Sequence, residues 1–199
     1  MQVPWLIDET GEADKVLKRF VDLKILLMPY LYSTAIHTHQ TGVPMMRPMF
    51  VEFPEDPPAW TVDTQYMLGP NILVAPIFNE EGAVQFYVPE GRWYGILDGK
   101  SRTGPGFFTE THDFMSLPIL LRPDSAIALC SRLREGPVYD YAEDLMILAN
   151  LQGKEDTELV LDIPNSDQPG VMQAKIEVVG SSLRVIEGEI KGKCELKKV

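Results

Sequence analysis

Apolar residues recur at three- and four-residue steps between positions 11 and 42, at Val16, Leu17, Phe20, Leu23, Leu27, Tyr30 and Leu31. That spacing predicts helix. Asp8, Glu9 and Glu12 stand near its start, where the helix dipole favours anions, and Gly42 suits its end. Pro29 lies inside the pattern. It has no amide donor and clashes one turn back, so a break is expected just before it. Ile25, Leu26, Leu27 and Met28 are consecutive, which makes the helix apolar on more than one face.

Residues 43–51 form a near-continuous apolar run, read as a strand buried on both faces as in parallel sheets. Pro44 and Pro48 are awkward in such a strand, because proline cannot donate to a ladder. From about residue 71 short strands take over. A buried strand is expected at 71–78, and Val84, Phe86 and Val88 mark an alternating one. Pro89-Glu90-Gly91 reads as a turn, followed by a returning strand at 92–97 and a second turn at Asp98-Gly99. Further strands are expected at 107–110, 117–121, 125–130, 145–150, 158–163, 172–179 and 183–190, with a hairpin turn at Gly180-Ser181-Ser182. One lone buried strand cannot satisfy its own backbone, so the first ~55 residues read as the tail of something larger.

Composition narrows the class. The chain has 199 residues, 45% hydrophobic and 24% charged, which is globular. A net charge of −11 repels phosphate backbones, so no nucleic-acid partner is expected. No apolar run approaches the ~18 residues of a membrane span, so no membrane partner is expected either. The start meets Asp8 and Glu9 at once and does not read as a signal peptide, and the expected compartment is the cytoplasm. Two cysteines, Cys130 and Cys194, are too few for a disulfide scaffold.

Candidate chemistry is thin. His37 and His39 are two apart on a helix and point to different sides, which disfavours a shared metal. His112-Asp113 resembles half a triad without a serine in a nucleophile elbow. Carboxylates such as Glu52, Glu55, Asp56, Asp140 and Glu143 are plentiful, but no spacing selects a catalytic pair. Arg47 stands inside an apolar run and needs carboxylate or carbonyl partners, so a structural ion pair outweighs a substrate contact. Trp60, Trp93, Tyr94, Phe107 and Phe108 could stack on sugar rings, with core packing the stronger expectation for each. No Gly-rich phosphate loop, CxxC or HExxH is present, so no cofactor and no metal is expected.

An ordered set of strings adds to this. Val3-Pro4-Trp5, Leu27-Met28-Pro29-Tyr30-Leu31-Tyr32, Gly42-Val43-Pro44-Met45-Met46-Arg47-Pro48 and Glu52-Phe53-Pro54 are followed by three more: Gln65-Tyr66-Met67-Leu68-Gly69-Pro70, Leu73-Val74-Ala75-Pro76 and Tyr87-Val88-Pro89-Glu90-Gly91-Arg92-Trp93. In this order and spacing they resemble the C-terminal part of glycoside hydrolase family 31. Phe114-Met115-Ser116-Leu117-Pro118 and Asn150-Leu151-Gln152-Gly153 look most like its bacterial α-xylosidases.

The resemblance implies a retaining, exo-acting α-glycosidase with a (β/α)₈ barrel and two C-terminal β domains. The family's two catalytic aspartates precede the Val-Pro-Trp string, so no catalytic residue maps onto this chain. The expected fold class is an α+β fragment: the terminal helix and strand of a barrel (1–53), a proximal β domain (54–137) and a distal one (138–199), both mainly antiparallel sandwiches. Residues 50–60 would lie nearest the pocket rim, with Arg47 and Trp60 as rim or structural candidates. The expected partner is the N-terminal remainder of the enzyme, on the same or a separate chain, with an α-linked sugar reached only through the complete enzyme. The alternatives are a subunit of a split glycosidase and a free-standing sugar-binding module.

Overall fold

The computed structural model describes residues 3–152 and 157–199. Gly153, part of the last string quoted above, lies outside the described residues.

Three helices open the chain: α1 (Pro4–Ile7), α2 (Glu12–Leu26) and α3 (Met28–Thr41). The predicted break falls at Leu27, with Pro29 in the first turn of α3, where its missing amide costs nothing. Asp8 holds the front of α2, its Oδ2 accepting from the Ala13 amide at 2.7 Å. Gly42 ends α3 in the left-handed region at φ 76°.

The run at 43–51 is not a buried parallel strand. Only Met46–Arg47 (β1) is extended, and it pairs antiparallel with Tyr66–Leu68 (β2) at one edge of a sheet. Pro48 ends it, and Met49–Glu52 is a short helix, α4. The prolines decide the outcome, because a chain that cannot donate at 44 and 48 cannot sit in a sheet interior. The first β unit therefore begins before residue 54.

That unit is six-stranded, in the order β1-β2-β3-β6-β4-β5, with β3 Ile72–Val74, β4 Ala83–Gly95, β5 Ser101–Thr111 and β6 Ile119–Leu121. The turn expected at 89–91 is absent. β4 runs straight through, and the β4–β5 ladder shifts register between Val88 and Gly91. Such a bulge keeps a Pro-Glu-Gly string inside a strand. The chain reverses instead around Asp98 and Gly99, as expected. β3 sends Leu73 to a core with Phe86, Val88, Trp93 and Met49, and Ile72 and Val74 to a second core with Leu27 and Tyr30.

The second unit packs two three-stranded sheets. One is β11-β10-β9 (Ser182–Gly188, Met172–Val179, Glu158–Pro164), closed by the turn at 180–182. The other is β12-β8-β7 (Lys191–Lys198, Glu143–Asn150, Ser125–Cys130). All six residues of β7 pair with β8, so this ladder crosses the expected boundary at 137/138. β12 pairs parallel with β8, and its Lys-rich sequence carries too little apolar alternation to be read as a strand.

Candidate functional site

The two residues singled out by sequence, Arg47 and Trp60, stand in different settings. Arg47 is 4% exposed. β1 and the turn into α4 fold its side chain back on its own segment: Nε donates to the Pro44 carbonyl at 2.9 Å and Nη1 donates to Glu52 Oε1. The other oxygen of Glu52 accepts from Arg122 Nη1 at 2.9 Å. Arg122 also donates to the Pro70 carbonyl and lies 4.8 Å from the centre of the Phe53 ring. One carboxylate thus holds two guanidinium groups. Arg47 Nη2 is buried and has no hydrogen-bond partner among the described residues.

Trp60 is 58% exposed, and its Nε1 donates to the Pro54 carbonyl at 2.8 Å. The bond fixes the indole on the 3₁₀ turn Pro57–Trp60 and leaves its face open. Met46, Phe50 and Val51, earlier in the chain, are also exposed. An open groove of about 490 Å³ runs along Glu52, Phe53 and Asp56 toward Pro89 and Glu90. Asp56 accepts from the Tyr87 hydroxyl at 2.7 Å. Burial, then this carboxylate, pushes the Tyr87 phenol up to about 12. The Tyr87–Asp56 and Arg122–Glu52 pairs carry no signal in the sequence, because partners 31 and 70 positions apart leave no local pattern.

A second apolar surface lies on the helices. Trp5, Leu6, Leu17, Val21 and Phe114 are exposed, and a groove of about 490 Å³ between α2 and Phe114 is lined by Val16, Leu17 and Phe20. Singly exposed apolar residues are ordinary; contiguous ones mark an interface.

The other candidates disperse. His37 and His39 sit exposed on α3. His112 does meet a serine: its Nδ1 is 3.0 Å from Ser116 Oγ and its Nε2 is 3.0 Å from Glu110 Oε2. Yet Ser116 Oγ donates to Asp113 Oδ1, and Glu110 is held by Arg102, so the imidazole is one link in a structural chain. Trp93 is fully buried and donates to the Pro89 carbonyl. Cys130 and Cys194 are both free thiols. Among the described residues no group of three His, Cys, Asp or Glu side chains could hold a metal, and no helix is long and apolar enough to cross a membrane.

Two β units are joined to a helical pair that exposes apolar side chains on its outer face. Comparison with known proteins gives the family. Residues 42–127 match the glycosyl hydrolase family 31 C-terminal domain. An α-xylosidase of Emericella nidulans is 45% identical over 170 residues, which is 81% of this chain and 21% of that protein. The α-xylosidase XylQ of Lactiplantibacillus pentosus is 39% identical over 191 residues, 93% of this chain and 24% of that protein. The cycloalternan-forming enzyme of Listeria monocytogenes superimposes with a TM-score of 0.76 at 26% identity, covering 89% of this chain and 17% of that one. The chain belongs to glycoside hydrolase family 31, as part of its C-terminal region. It spans less than a quarter of the length of these α-xylosidases.

Proposed function

We propose that this chain is the C-terminal portion of a retaining, exo-acting α-glycosidase of the α-xylosidase type, and that it closes and buttresses a catalytic barrel carried elsewhere. In this reading α2 and α3 are the last helical segment of a (β/α)₈ barrel, and their apolar outer face, with Leu17 and Val21, is the surface the remaining barrel covers. In this reading the segment from Phe50 to Trp60, which exposes Phe50, Val51 and the face of Trp60, lies toward the pocket rim. The observation that carries the reading is that identity to α-xylosidases runs through nearly the whole chain while the chain supplies only about a fifth to a quarter of those proteins.

The nucleophile and the acid/base that retention requires belong to the absent portion, and the chain alone is inactive. The test uses aryl α-xylosides and α-glucosides. The isolated chain releases no aglycone, and mixing it with the N-terminal remainder restores turnover. Turnover by the isolated chain would refute the reading, as would unchanged kinetics of a complete enzyme carrying Trp60→Ala for its rim placement. Saturable binding of xyloglucan oligosaccharides by the chain alone would favour a free-standing sugar-binding module instead.

A further inference from the structure

Strand β11 is an open edge. Among the described residues it pairs only with β10, and its far side meets no strand. Edges are usually blunted by lysine, proline or a covering element. The other edge of the same sheet, β9, packs against α3 and β7. β12, an edge of the facing sheet, carries Lys191, Lys193, Lys197 and Lys198. The centre of β11 is instead two branched apolar residues, Val185 at 38% and Ile186 at 44% exposure.

The charges beside them are ordered. Alternation alone would put Arg184 and Glu187, three apart, on opposite faces of the strand. A bulge in the β10–β11 ladder puts them on one face: Arg184 bonds Glu177 at 2.6 Å, and Glu187 bonds Lys175, two residues away on β10, at 2.7 Å. Two rows therefore cross the outer face of the sheet and stop at its edge. One runs Asp162, Lys175, Glu187 and ends in an anion; the other runs Val160, Glu177, Arg184 and ends in a cation. A second copy of β11 laid antiparallel along this edge would set its Glu187 opposite Arg184, its Arg184 opposite Glu187, and Val185 opposite Ile186. Both rows would then continue with alternating sign around an apolar centre. Opposite charges directly across a strand pair stabilise it, and like charges do the reverse. The lysines of β12 stand on the other sheet, where Asp140 holds Lys191 and Ser181 holds Lys198.

We infer that β11 is a self-complementary edge at which two copies of this chain associate, antiparallel, about a two-fold axis passing between Val185 and Ile186. The surface belongs to the second β unit and is independent of the catalytic reading above. Seven residues of edge make a contact smaller than the ~1,600 Å² of a standard interface, so the dimer is weak and depends on concentration.

The experiment is sedimentation equilibrium of the 199-residue chain from about 10 µM to about 1 mM, in salt that screens its net charge of −11. The wild-type chain is expected to show a reversible monomer–dimer equilibrium. Arg184→Glu and Glu187→Arg each set like charges against one another in both rows, and each is expected to weaken the dimer by about ten-fold or more. Mixed one to one, the two variants regain opposite signs in both rows and are expected to form the dimer that neither forms alone. Thermal melting checks that both are folded. Should either melt early, Ile186→Lys decides in its place: it touches neither row, stands at an exposed position and is also expected to loosen the dimer. A wild-type chain that stays monomeric, a dimer unmoved by these changes, or a mixture no tighter than its components would each overturn the inference.

Discussion

The hydroxyl of Tyr30 donates to the carbonyl oxygen of Leu68 at 2.7 Å, tying α3 to the end of β2 across 38 positions of sequence. The Tyr30 hydroxyl oxygen in turn accepts from the Asn71 amide at 3.1 Å, so the phenol is used in both directions. Burial pushes this phenol well above the usual tyrosine range. Helix and sheet therefore meet at a fixed point.

Gly69, the next residue, makes that point possible. Its φ is +63°, and a Cβ there would come within contact-breaking distance of the Tyr30 hydroxyl and 3.0 Å from Thr34. Gly69→Ala is expected to cost about 2 kcal/mol or more, from backbone strain together with displacement of the phenol. Tyr30→Phe, which leaves the Leu68 carbonyl and Asn71 amide without their partner, is expected to cost about 1–3 kcal/mol. Urea unfolding of both variants checks the order. Wild-type stability for Gly69→Ala would contradict the close approach.

Arg102 sets the acid limit of stability. Its guanidinium is 6% exposed and forks to Asp98 (2.7 and 3.0 Å) and to Glu110 (2.7 and 2.9 Å). The Arg102 bonds hold the Glu110 carboxyl below its ordinary range; for Asp98, burial acts the other way but the bonds and charge of Arg102 and Lys100 together outweigh it. Both folded values are depressed. The stability they contribute is present above the unfolded carboxylate range, near pH 4, and is lost as pH falls through the lower folded values. Arg102→Met should flatten that acid limb and cost about 3 kcal/mol at neutral pH. Thermal unfolding from pH 2 to 7 would show an unaltered slope if the fork were idle.

Glu52 is the shared anion of its cluster, so its loss should exceed the loss of either view of it from outside. Glu52→Gln leaves the nearly buried Arg47 without a counter-charge and is expected to cost about 3–5 kcal/mol. Arg122→Met should cost less, since that side chain is 30% exposed. A double-mutant cycle on Arg47 and Arg122 should return a non-zero coupling, because both speak to one carboxylate. Additive effects would separate them.

Cys194 is expected to be a slow nucleophile. Burial pushes its thiol from 9.0 up to about 11. At pH 8 the folded thiolate fraction falls about 100-fold below that of the unfolded chain. Alkylation by iodoacetamide should slow correspondingly and accelerate as pH rises toward 11. A rate equal to that of the denatured chain would refute the burial.

The helix break at Leu27, the hairpin turns at 98–99 and 180–182 and most strand positions were legible because each is written in local spacing or in a turn residue. The run at 43–51 is a short edge strand and a helix rather than a buried strand. Its apolar residues look like a two-sided strand, but Met46, Phe50 and Val51 are exposed in this chain and only Met49 and Arg47 turn fully inward. Pro89-Glu90-Gly91 looked like a reversal because a bulge and a turn use the same residues. Arg47 was readable as a buried cation seeking a carboxylate, and Glu52 answers it five positions on. Arg122 was not readable, since only the fold brings it there. Trp60 was singled out as a sugar platform or core residue, and the structure leaves it on the surface, held by Pro54.

Strand β7 faces two ways. Ala126 and Ala128 enter the core of the second β unit, while Ile127 and Leu129 enter the core shared with Leu27, Tyr30 and Ile72. It is laddered to β8 across the loop 131–142. A protease nick in that loop would sever the backbone yet free neither piece, because the front fragment would still be lending the rear one its sheet edge. The two halves would travel together through a sizing column and part only in denaturant.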